Sequence, residues 1–297
     1  MAREISTIAT PARAESFVLA ASGKLAAAVC ADHKLRVWSL PGAELRQTMS
    51  LSETQNDLTS MSPDGHWLVT GDHHGDGMVW DASAGREYCE LRLNPYPATA
   101  GFSRDSRYLA VAPMGEPVQV YEMASRRMLF ETARVVGGAN AIAFSRDGAL
   151  LATVDGDTLV RIYDARSGKL VASNADSLME PLTVEFTADG KYAIAGGGDK
   201  VIAFIDTTTG KMARKMDRTA QPAVMLRASP NGKSLAAAYM KAENMLQPAP
   251  IVLMDAATSH KISEWLPPSV PIGGDWVEDG RLLIATATNE AIHVWQV

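Results

Sequence analysis

Ser62-Pro63-Asp64-Gly65, followed fifteen residues after its glycine by Trp80-Asp81, is the stretch of this 297-residue chain that decides its fold. Between these two landmarks lie short apolar runs, Trp67-Leu68-Val69-Thr70 and Met78-Val79-Trp80, separated by the polar residues 71–77. Runs of that length bounded by Gly and Asp read as strands. An Asp-Gly pair tolerates the positive φ that a hairpin turn demands.

The pattern recurs along the whole chain. Relatives of the turn are Ser145-Arg146-Asp147-Gly148, Thr187-Ala188-Asp189-Gly190, Ser229-Pro230-Asn231-Gly232 and Val277-Glu278-Asp279-Gly280, with weaker versions ending at Gly23 and Ser106. The closing anchors are Trp38, Trp80, Tyr121, Tyr163, Ile205, Met254 and Trp295. Turn to anchor is 15 residues in six of the seven units; Gly232 to Met254 is 22, an insertion of seven. Anchor to next turn is 26 or 27 throughout, so the period is 41 or 42 outside the insertion. A fixed period of this size marks a repeat architecture.

Each period holds four short strands. In unit four they are predicted at residues 141–144, 150–154, 159–163 and 169–173. No stretch carries the 3.6-residue apolar period of a long helix. A lone four-stranded sheet cannot bury both faces, but sheets stacked radially can, and closing the ring limits exposed edges. The last unit stops after its third strand, at Trp295-Gln296-Val297, while residues 4–10 form a spare strand ahead of the first unit. The expectation is therefore an all-β, seven-bladed β-propeller of four-stranded antiparallel blades. It spans residues 1–297 as a single unit, with residues 3–10 as the outer strand of blade seven.

These residues resemble the WD-repeat family. Trp80-Asp81 is the dipeptide that names it, and Asp32-His33-Lys34-Leu35-Arg36-Val37-Trp38 matches its tight turn and third strand, as do residues 157–163 and 199–205. The chain is divergent: the family's Gly-His pair is missing from every unit, and the turn Asp stands only at Asp32, Asp157 and Asp199, with Asn289 similar. The resemblance implies a buried His–Ser/Thr–Asp–Trp network of which only parts survive, for example Thr153 with Asp157 and Tyr163. It also implies a protein-binding scaffold using the face that carries the fourth-to-first and second-to-third connections.

Composition narrows the function. With 46% hydrophobic residues and 21% charged, the chain reads as an ordinary globular protein. A formal net charge of −6 with no basic stripe speaks against nucleic acid. Residues 1–10 lack the apolar core of a secretory signal, and no apolar run approaches a membrane span, so a cytoplasmic protein without membrane partners is expected. Cys30 and Cys89 show no metal or redox spacing and are expected as free thiols. No GxSxG elbow, P-loop, HExxH or nucleotide-binding glycine pattern is present, and Gly196-Gly197-Gly198 reads as a turn. No cofactor, metal or catalysis is expected.

Four groups are candidates for partner binding. The insertion, about residues 239–250, offers Lys241, Glu243, Met245 and Leu246 on a long second-to-third loop. His33 and, one blade on, His73 and His74 with Asp72 and Asp76 lie in equivalent loops; their spacing fits no zinc motif and reads as solvated turn residues. Eight residues before the turn position stand Glu15, Asp57 and Asn140, where the other units have Ala98, Leu182, Val224 and Ile272. Such a polar mouth is similar to that of lactonase-type propellers, so a metal-assisted hydrolase or a small-ligand sensor is the alternative to the scaffold. Lys211, Arg214, Lys215 and Arg218 on an outer strand read first as edge protection and second as a patch for an anionic partner.

Overall fold

The repeated turn is held by its own side chains. Ser62 Oγ donates to Asp64 Oδ1 at 2.6 Å and accepts the Trp67 N–H at 2.8 Å, while Asp64 Oδ1 also accepts the His66 N–H at 2.9 Å. The same serine- or threonine-to-carboxylate bond, 2.6 Å long, recurs at Ser103/Asp105, Ser145/Asp147 and Thr187/Asp189. Gly65 takes φ of 78°, the left-handed conformation that glycine adopts without strain. Ser106 takes the same conformation at 59° and makes a link no glycine could: its hydroxyl accepts the Asp64 N–H of the preceding blade at 3.2 Å.

The computed structural model describes residues 2–52, 58–71, 76–92, 97–174, 180–216, 221–239, 247–288 and 290–297 (for residues 58, 59, 76, 92, 97 and 98, the backbone alone). Among the described residues the strands form seven antiparallel sheets of four. Blade four runs Ala139–Phe144, Leu150–Asp155, Val160–Asp164 and Leu170–Ser173, close to the strands expected from sequence. In every blade the first strand is innermost and the fourth outermost.

Seven clusters of buried apolar side chains lie between the blades, one for each neighbouring pair. Ala152, Val154 and Ile162 of blade four meet Val184, Ala193 and Ile205 of blade five, for example. Ile8 and Val294 of blade seven meet Ala28 and Trp38 of blade one. The blades are wedges, and side-chain size follows the taper. Second strands, near the axis, bury small residues such as Ala26, Ala110, Ala152, Ala193 and Ala236 at 0% exposure; third strands, further out, bury Trp38, Trp80, Tyr163, Ile205 and Met254. A register bulge sits at this anchor in all seven blades, including Val37/Trp38, Val79/Trp80, Ile162/Tyr163 and Val294/Trp295, and adds twist where the blade widens.

The family's buried network survives in reduced form. Trp80 Nε1 donates to Thr70 Oγ1 at 2.9 Å and Trp295 Nε1 to Thr286 Oγ1 at 3.0 Å. The expected pairing of Thr153 with Asp157 is not formed. Asp157 instead receives Arg161 at 2.9 and 2.6 Å, and Thr153 Oγ1 has no hydrogen bond of good geometry. Arg161 also holds the buried Asp155 at 2.5 Å, and Arg36 holds Asp32 in the same way in blade one, at 2.8 and 2.5 Å. An Arg two residues before the anchor outcompetes the threonine because a bidentate charged pair is the stronger hydrogen-bonding partner.

The outer rim carries one clasp after another between neighbours. Gln47 Nε2 donates to Ser83 O at 2.9 Å, Tyr88 OH to Met123 O at 2.9 Å, and Asn174 Nδ2 to Gly210 O at 3.0 Å. Arg214, one of the four residues of the expected basic patch, is a clasp of this kind. Its guanidinium donates to the Ala256 and Ala257 carbonyls and to Ser259 Oγ, and it stacks 3.7 Å from the Phe204 ring centroid. Lys211 and Lys215 are exposed on the edge, and Arg218 lies outside the described residues.

The ring is closed by the first strand. Arg3–Ala9 pairs antiparallel with Ala291–Gln296, from Arg3↔Gln296 to Ala9↔Ala291, as the outer strand of blade seven. Ile8 is fully buried, and Ser6 Oγ clasps Pro41 O of blade one at 3.0 Å. Deleting residues 3–9 removes several backbone hydrogen bonds worth about 1 kcal/mol each together with the burial of Ile8, worth about 2 kcal/mol. A urea unfolding midpoint lowered by the equivalent of several kcal/mol is expected, and an unchanged midpoint would show that the strand does not latch the ring.

Candidate functional site

The fold gives the propeller two dissimilar faces. Fourth-to-first and second-to-third connections emerge on one, the loop-rich face. The Ser-x-Asp-Gly turns and the third-to-fourth turns emerge on the other, the turn face. Innermost strands run from the first face to the second along the central channel.

At the loop-rich mouth the position eight residues before the turn is a β-bulge in blades three to seven. The register skips between Ala139/Ala141, Pro181/Thr183, Ala223/Met225 and Pro271/Gly273. Asn140, Leu182, Val224 and Ile272 therefore have no cross-strand partner, and a bulge re-aims the side chain it carries. Asn140 is exposed and donates from Nδ2 to Pro181 O of the next blade at 3.3 Å. Leu182 and Val224, on adjacent blades, are 39% and 38% exposed. Leu266 and Val270, in the connection that leads to Ile272, are also exposed, as are Met114 and Val136 over blades three and four. Their two loops lie against each other: a Cβ on Gly138 would sit 2.5 Å from the Gly115 backbone, and Arg134 pairs with Glu116. Reading this register for charge picked out Glu15, Asp57 and Asn140; its apolar members are what the mouth presents on blades five to seven.

The other candidates distribute as follows. Glu15 faces Arg13 at 3.6 Å. His33 is a left-handed turn residue, φ 57°, whose N–H donates to Cys30 O at 3.0 Å and whose carbonyl accepts the Leu51 N–H at 2.9 Å, so its backbone shapes the hairpin. Thr158 and Lys200 hold the same conformation in blades four and five. Asp57, Asp72, His73 and His74 lie outside the described residues, as do Lys241, Glu243, Met245 and Leu246. The insertion does fall between the second strand of blade six, ending at Tyr239, and the third, beginning at Ile251. Cys30 and Cys89 are free, and burial pushes both thiols up. Trp276 is buried, donating from Nε1 to Arg227 O at 3.0 Å. Trp265 stacks on Trp295 with centroids 5.5 Å apart.

Sequence reasoning missed the cavity at the turn-side mouth. Its volume is about 260 Å³, and innermost strands from all seven blades line it. Five residues before the turn position, blades one to four place Val18, Ser60, Gly101 and Ala143; blades five to seven place Glu185, Arg227 and Asp275. Nothing stands within 4 Å of where a Gly101 Cβ would be, so the charged wall faces open space. Arg227 Nε lies 3.6 Å from Asp275 Oδ2, and its Nη1 donates to Leu226 O at 2.9 Å. Nearer the mouth, Arg104 and Arg146 enter from blades three and four, and Arg104 reaches across to Glu278 of blade seven at 3.6 Å. The same five-before-turn count that locates Glu185, Arg227 and Asp275 is visible in the sequence.

Glu185 is the perturbed group. It is partly accessible yet surrounded by protein around the channel, and among the described residues it accepts a hydrogen bond from the Phe186 N–H at 2.8 Å. Desolvation raises its pKa to about 7; Arg227 and Arg104 pull it down, and Asp275 pushes it up. A carboxyl whose folded pKa is raised contributes stability that is full below its ordinary value, 4.5, and is lost as pH climbs through about 7. Glu185→Gln should therefore flatten the pH dependence of the unfolding free energy between pH 5 and 8, relative to the native chain. Identical profiles for the two would show that Glu185 is ionised throughout.

Comparison with known proteins agrees with the architecture. The family model for the WD domain, G-beta repeat, matches residues 45–81 and 132–164, which cover the outer strand of blade one with the first three strands of blade two, and the first three strands of blade four. A search of curated proteins finds no match. Among the described residues no helix is long and apolar enough to cross a membrane. Two matched WD repeats within seven equivalent blades, closed by the first strand, show a seven-bladed β-propeller that carries WD repeats.

Proposed function

We propose that the chain is a non-catalytic protein-interaction scaffold that receives a protein partner on its loop-rich face, over blades five to seven. WD-repeat propellers commonly serve as interaction scaffolds. The observation that carries the reading here is the apolar arc at that mouth. Leu182 and Val224 stand exposed on successive bulges, with Leu266 (59% exposed) and Val270 beside the third bulge. Contiguous exposed apolar groups on a rigid frame are what interface anchors look like before a partner covers them. The insertion joins the second and third strands of blade six, which also carries Val224. The alternative of a metal-assisted hydrolase at this mouth gains no support from Glu15 and Asn140, which are engaged by Arg13 and by Pro181 O.

The test compares three chains as baits in lysate of the source cell, with quantitative mass spectrometry. They are the native chain, the double variant Leu182→Asp/Val224→Asp, and a control, Leu170→Asp/Val171→Asp, on the exposed outer strand of blade four. Proteins held by the native chain and the control should fall by about tenfold or more on the mouth variant, the loss expected when anchor residues are removed. Equal capture by all three would overturn the reading.

A further inference from the structure

We propose that the turn-side cavity is a binding site for a small organic carboxylate, held by Arg104, Arg146 and Arg227 above Glu185. Three observations converge on it. First, the charge of the cavity opposes that of the chain. The protein carries −6, yet three guanidiniums line a space of about 260 Å³ against two carboxylates, Glu185 and Asp275. That volume lies just below the usual range of ligand cavities, roughly 300–1,000 Å³, and so suits only a small ligand.

Second, the guanidiniums keep unused donors. The pairs Arg227–Asp275 and Arg104–Glu278 are both 3.6 Å apart, too long for hydrogen bonds. Arg104 Nη2 is shielded from water and has no acceptor. A buried donor without a partner is rare, and a turn of the Arg104 side chain into the cavity would give it a ligand oxygen. Planar guanidiniums also match the two oxygens of a carboxylate.

Third, one wall is cleared. Gly101 and Ala143 face the charged residues at the same level of the channel, and the space beside Gly101 is open.

Glu185 makes the site pH-sensitive. The charged groups around it are Arg227 and Asp275 at its own level and Arg104 and Arg146 at the mouth, with Glu278 paired to Arg104. A carboxylate bound among the arginines repels an ionised Glu185 and accepts a hydrogen bond from a protonated one. Binding is therefore accompanied by proton uptake on Glu185 and weakens as pH rises through about 7.

The experiment is isothermal titration of the full chain with oxalate, and separately with sulfate, at pH 6 and pH 8 in two buffers of different ionisation heat. Neither probe titrates in that range. One oxalate per chain is expected, about tenfold weaker at pH 8 than at pH 6, as follows when only the protonated form of a group with pKa near 7 binds. Glu185→Gln should keep the binding and abolish its pH dependence. Arg104→Ala and Arg146→Ala, both in turns and checked for unchanged melting, should each weaken oxalate by about tenfold. Arg166→Ala, on a distant third-to-fourth turn, should change nothing. Sulfate binding at the same site with the same variant pattern would support a general oxyanion pocket. No saturable binding of either probe to 10 mM, a scale of about 3 kcal/mol, would overturn the proposal, and so would equal loss in all three arginine variants, which signals surface charge only. The site lies on the opposite face from the proposed protein contact, so either can fail without the other.

Discussion

Everything in this structure depends on pairing the two ends of the chain in one sheet. Each blade buries its faces only against its two neighbours, so stability is a sum of nearest-neighbour interfaces. An open stack would leave two apolar blade faces in water. The antiparallel pairing of Arg3–Ala9 with Ala291–Gln296 removes both and creates the seventh core, where Ile8 and Val294 meet Ala28 and Trp38. Closure also sets the wedge shape of each blade, which places fully buried alanines on the second strands and indoles, phenols and long aliphatics on the third. The rim clasps, such as Tyr88 to Met123 O and Arg214 to blade six, fix the angle between wedges that the divergent internal networks no longer fix alone.

Within this frame the same repeat position becomes different chemistry at the two ends of the channel. At the loop-rich end a recurring bulge frees one residue from its ladder in each of blades three to seven, and on blades five and six that residue is leucine or valine. At the turn end the ladder is regular and the inward residue faces a narrow lumen. There, Glu185, Arg227 and Asp275 crowd one wall, and desolvation governs what Glu185 can do. One end suits a broad partner with apolar anchors and the other a small anion. A rigid ring can carry both because neither site requires a blade to move.

Much of this was legible in the residues. The fixed interval from Gly65 to Trp80 and its repeats gave the blade count, the strand order and the latch, because turn chemistry and strand length are local. The sites were less legible, for a physical reason. Register tells which residues share a level of the channel, but not whether the backbone there is bulged, and the bulge decides exposure. Leu182 and Val224 were in the right register and passed over because they are apolar. Glu185 and Arg227 were three residues further along the same strands, where alternation alone does not reveal that the lumen is narrow enough to desolvate a carboxyl. Thr153 was assigned a partner from the family pattern, and Arg161 took that partner because a charged bidentate pair is stronger.

The central claim is that the closing strand belongs to the same cooperative unit as the blades it joins. Native-state hydrogen exchange read by mass spectrometry tests it directly. Amides of residues 3–9 that donate to the 291–296 strand should exchange as slowly as those around Leu68 in blade two and Ile162 in blade four, with the same denaturant dependence. Exchange of residues 3–9 orders of magnitude faster, with the blades still protected, would show an open ring with a loosely attached strand and would contradict the account.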